Sequence, residues 1–131
     1  MGKNVGLLCI VCRNELPDQQ EINLISEEEI DKALNFLRDN SPKIGKLKAE
    51  MEYLQEFSKV ILAEEMAKSA DKPVNAQERD ARASERFKLN LEAIRTATEE
   101  YITLYYLMKA ADTKISAWQT IQATERALGK I

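Results

Sequence analysis

From Phe87 to Met108 the chain advances by fours and threes along a mostly apolar line: Phe87, Leu91, Ile94, Thr98, Tyr101, Tyr105 and Met108, with Ile115 seven residues further on. That spacing is one face of an α-helix. Leu104, Leu107, Ala111, Trp118 and Ile121 lie beside the line, so the apolar surface is wider than one antiparallel partner covers. A helix of this length needs a chain with little punctuation. Four Gly and three Pro in 131 residues provide that, and they predict few, long elements. The expectation is an all-α single domain that oligomerises through its helices.

The rest of the chain divides around that helix. Residues 1–25 form an N-terminal segment in which "VGLLCIVC", residues 5–12, reads as short, extended and apolar. A helix is expected over 26–40. Ser26 is its N-cap, Glu29 closes a capping box, and Ile25 staples to Ile30. Glu27, Glu28 and Glu29 suit the positive end of the helix dipole, and Ile30, Ala33, Leu34 and Leu37 make its buried face. Ser41-Pro42 then predicts a break and a new helix over 42–69, with Ser at the cap and Pro in the first turn. Its stripe is Ile44, Leu47, Met51, Leu54 and Ile61. Residues 70–83 form a polar connector, and the last helix occupies 84–128, with Gly129 suited to its C-terminal cap. The predicted architecture is thus an N-terminal segment and helix followed by a long antiparallel helical hairpin.

Composition excludes several classes of function. The net charge of −3 argues against a generally basic nucleic-acid binder. Residues 1–40 hold four basic and eight acidic residues, −4 in all, so the remainder carries +1. The absence of His, of a Gly-rich phosphate loop and of a nucleophile motif leaves no catalytic residue to name and no cofactor to expect. Glu64 and Glu65 are a weak carboxylate metal motif without a Glu-x-x-His partner. Cys9 and Cys12 are the only thiols, two ligands short of a structural zinc site, and are expected as buried or half-buried thiols in a short strand-like segment. A redox pair or a zinc shared between subunits are the alternatives. No signal peptide or membrane span is expected, and cytoplasm is the default location.

Two basic groups stand out. Lys43, Lys46 and Lys48 open the second helix. Arg79, Arg82 and Arg86 follow at i, i+3 and i+7 and share one side if that tract is helical. Glu78, Asp80 and Glu85 are interspersed, so a solvated, salt-bridged helix start competes with phosphate recognition for the arginines. Tyr101, Tyr105, Met108, Ile115 and Trp118 are the expected oligomer interface, with Tyr106 off the main stripe.

"LRDNSPKIGKLKAEMEYLQEFSKVILAEEMAKS", a polar break, and a helix ending "KAADTKISAWQTIQATERALGK" together resemble the UvsY-type phage recombination mediators. The resemblance spans roughly residues 34–130. It rests on a Ser-x-Lys helix start with Lys43 and Lys46, a long amphipathic helix, a variable polar segment, and a final helix carrying Gln122 and Arg126. It implies a non-enzymatic homo-oligomer that binds single-stranded DNA and helps a RecA-like recombinase displace single-strand-binding protein. Lys43, Lys46 and Lys48 then contact phosphate. The competing reading is a helical adaptor or structural phage protein with no nucleic-acid role.

Overall fold

The computed structural model describes residues 25–130, and the expectations for residues 5–12, Cys9 and Cys12 lie outside them. Three helices make up the described residues: α1 (Glu27–Ala67), α2 (Val74–Arg82) and α3 (Glu85–Gly129). They contain no strand, and no described helix is long and apolar enough to cross a membrane.

α1 starts where the capping signal places it. The Ser26 hydroxyl accepts from the Glu29 N–H at 3.2 Å, and the Ser26 N–H donates to the Glu29 carboxylate at 3.0 Å. That second bond, with Lys114 and Lys32 nearby, holds the Glu29 carboxyl below its ordinary pKa. α3 opens at Ser84, whose hydroxyl accepts from the Phe87 N–H at 3.2 Å and donates to the Ala81 carbonyl at 2.7 Å.

The expected break at Ser41-Pro42 does not occur. α1 runs unbroken for 41 residues with Pro42 inside it. Pro42 removes one backbone donor and crowds the carbonyl four residues back. Two side chains bond carbonyls in the same turn: Asn40 Nδ2 donates to Phe36 O at 2.9 Å and Ser41 Oγ to Leu37 O at 2.6 Å. Packing supplies the reason for continuity. Ile30, Ala33, Leu37, Asn40, Ile44, Leu47, Met51, Leu54, Ser58, Ile61 and Glu65 alternate steps of three and four, and each is buried or half-buried. The seam crosses Pro42 without a change of phase, while Pro42 itself is exposed. A bend there would lift Ile30 and Ala33 from their partner helix.

α3 presents a matching seam: Phe87, Asn90, Ile94, Ala97, Tyr101, Leu104, Met108, Ala111, Ile115 and Trp118. Its period of 3.5 is that of a left-handed coiled-coil interface. It is the expected stripe with Leu91, Thr98 and Tyr105 replaced by the residues one position earlier. Small side chains at 90, 97 and 111 let the helices approach, which Tyr105 would prevent. Leu91 and Tyr105 are accordingly 49% and 42% exposed, and Leu34 on α1, expected in the buried face, is also exposed. Asn90 is buried, and its Nδ2 lies 3.5 Å from the Leu54 carbonyl of α1.

The inter-helix pairs descend α3 as they climb α1. Glu29 meets Lys114 at 3.9 Å, Leu54 meets Asn90, and Glu64 meets Arg86. Between the long helices, the tract expected as a connector contains α2. This nine-residue helix packs on α1, with Ala81 fully enclosed. Gly129 ends α3 in helical conformation, and Lys130 takes the cap position expected for the glycine.

Candidate nucleic-acid interface

Lys43 and Lys46 stand one turn apart on α1, exposed and on one side of it. Neither is ion-paired among the described residues. Lys43 borders an open groove of about 570 Å³ between α1 and α3, whose walls include Leu47, Thr96, Glu99, Glu100 and Thr103. Lys48 departs from that pair. It lies well round the helix from both and leans toward Glu52, 3.9 Å away at the next turn. The three lysines of the sequence therefore present a pair and an outlier.

The arginines do not form the shared face that their spacing suggests. Arg79 and Arg82 belong to α2, whereas Arg86 sits in the first turn of α3, beyond the Ala83–Ser84 step. Each already has a carboxylate. Arg79 Nε lies 3.4 Å from Asp80. Arg82 donates to Glu78 through Nε at 3.0 Å and Nη2 at 2.8 Å. Arg86 donates to Glu64 and stands 3.8 Å from Glu65. Arg82 also lies over the Phe87 ring, 6.0 Å from its centre.

Lys72 completes this corner by donating to Asp80 at 2.7 Å. The hydrogen bond from Lys72 lowers the Asp80 pKa, and the same bond raises that of Lys72. The corner is thus a charge-compensated joint. Glu64 and Glu65, read as a weak metal motif, face a guanidinium, and no cluster of three metal-ligating side chains occurs among the described residues.

The five residues expected at an oligomer interface separate into two environments. Tyr101 and Met108 are half-buried on the seam against α1, and Ile115 and Trp118 continue that line toward the end of α3. Tyr105 stands outside it, with its ring edge-on to Tyr106 at 5.4 Å between centres and Lys109 Nζ 6.0 Å from its own ring centre. Tyr106 is 61% exposed, and Leu91 and Ile102 are exposed as well. Asn90 does not figure among the residues expected from the sequence, and α2 lies within the tract expected as a connector. The signal for Asn90 was its place in an unbroken three-four alternation of small and large residues.

No protein-family model, no curated protein and no solved structure matches the chain.

Proposed function

We infer that the protein is a non-enzymatic, single-stranded-DNA-binding recombination mediator of the UvsY type. In this reading, antiparallel helical hairpins associate into a homo-oligomer that helps load a RecA-like recombinase. The observation that carries the DNA-binding step is the pair Lys43 and Lys46, exposed and without carboxylate partners among the described residues. Two cations per chain bind phosphate weakly, but repetition of the pair around a symmetric oligomer multiplies the contacts. Lys48 has a secondary role beside Glu52. Arg79, Arg82 and Arg86 are structural cations whose charge is already compensated. The association surface is the exposed flank of α3 bearing Leu91, Ile102, Tyr105 and Tyr106, because the seam residues Tyr101 and Met108 are occupied by α1.

The second reading is an oligomeric helical adaptor with no nucleic-acid role. It is favoured by the ion pairs of all three arginines and needs only the apolar flank. Light scattering coupled to size exclusion, then fluorescence anisotropy of a labelled single-stranded oligonucleotide, separates the two. The mediator reading expects an oligomer that binds the oligonucleotide more weakly as salt rises. An oligomer that leaves the oligonucleotide free supports the adaptor.

A further inference from the structure

The register between the long helices leaves the last turns of α3 without a described partner. Glu29 is level with Lys114. Carried back four residues, the same register sets Ile25 level with Trp118. Gln119–Gly129 then continue for about 16 Å at a rise of ~1.5 Å per residue. The line continues too, through Trp118 and Ile121 and past Glu125 to Leu128, which is 65% exposed. We propose that this projecting end of α3 is the docking site for the chain's own apolar run, residues 5–12.

Three observations select that occupant. The first is position. The chain enters α1 through Ile25 and Ser26, at the foot of the projection and on the side of the seam. The second is length. Residues 13–25 join the apolar run to that point and span up to ~43 Å when extended, at ~3.3 Å per residue, more than the projection requires. A tether that short holds its end at high effective concentration, which favours it over a free second copy. The third is charge. The joining segment carries Glu15, Asp18 and Glu21 against one cation, Arg13, while the projection balances Arg126 against Glu125 and is followed by Lys130. Val5, Leu7, Leu8, Ile10 and Val11 supply the apolar surface for Trp118.

The chain contains its own reporters, since Trp118 is its only tryptophan and Cys9 and Cys12 its only cysteines. Bimane, a fluorophore quenched by contact with tryptophan, is attached to Cys12 in full-length Cys9→Ser protein and to Cys9 in full-length Cys12→Ser protein. The docked arrangement predicts quenching that Trp118→Phe relieves at unchanged helical circular dichroism. Mixing labelled chains with an excess of unlabelled Trp118→Phe chains, under conditions that exchange subunits, should leave the quenching intact. Leu7→Asp with Leu8→Asp should relieve it and shift the Trp118 emission to the red. Bright bimane at both positions in the parent overturns the proposal. So does quenching that the Trp118→Phe excess removes, because the contact is then made by a second copy.

Discussion

At the scale of single residues, charge pairing decides which cations remain available. Lys72 and Asp80 lock the corner between α1 and α2. Asp80, with its pKa depressed in the folded protein, contributes stability above the ordinary aspartate value of about 3.9, lost as pH falls through the lower folded value. Lys72, with its pKa raised, contributes below about 10.4, and that is lost as pH rises through the higher folded value. The joint therefore holds across neutral pH. Lys72→Gln should raise the Asp80 pKa toward its ordinary value, followed by carboxyl carbon chemical shifts against pH. An unchanged Asp80 titration would remove Lys72 as the cause. The Ser26–Glu29 box was legible at this scale because both partners sit three residues apart. The arginine pairs were only half legible. Glu78 and Asp80 are neighbours in sequence, but Glu64 lies 22 residues before Arg86, and the Ala83–Ser84 step is a local choice that spacing does not reveal.

At the scale of the element, Pro42 shows how packing outweighs a local signal. Ser-Pro is a strong helix start, yet Leu37, Asn40, Ile44 and Leu47 keep one phase across it. The continuous three-four alternation was the better guide, and it was obscured because Asn40 does not look like a core residue. Seam positions 90, 97 and 104 were lost the same way, since Leu91, Thr98 and Tyr105 drew the stripe one residue further along. A buried Asn is retained in such seams when it fixes register, here by reaching the Leu54 carbonyl. An unbroken α1 makes a clear prediction. Pro42→Ala restores a backbone donor and removes a clash, so it should raise stability, by up to about 3 kcal/mol. Urea unfolding measures this, and a loss of stability would show that Pro42 starts a helix instead. Ser26→Ala should cost about 1 kcal/mol in the same assay.

At the scale of the molecule, two long helices and a short one bury little. Among the described residues only Ile30, Ala33, Ile61, Ala81, Phe87, Ala97 and Leu104 form the buried apolar core, and three of these are alanines. Leu91, Ile102, Tyr105 and Tyr106 remain outside it on α3. Ile102→Asp combined with Tyr106→Ser should lower the mass measured by light scattering while the helical circular dichroism persists. A parent protein that is already monomeric at micromolar concentration would rule out that surface as an association face. The helical class was legible because 3.5-residue periodicity over dozens of residues has one solution. The position of the apolar flank was not, because it depends on which of two adjacent stripes the partner helix covers.

The proposed function sets Lys43 and Lys46, rather than the arginine corner, against the phosphates of a single strand. Its most direct test is the salt dependence of oligonucleotide affinity for three proteins: the parent, Lys43→Ala/Lys46→Ala/Lys48→Ala, and Arg79→Ala/Arg82→Ala/Arg86→Ala. Each lost single-strand phosphate contact lowers the slope of log affinity against log salt by roughly 0.7. The lysine variant should flatten the slope by about that much for each lysine in contact, with Lys43 and Lys46 contributing most. The arginine variant should stay close to the parent after its helical content is matched. A parent that binds no single strand, or a slope that flattens more in the arginine variant than in the lysine variant, would contradict the account.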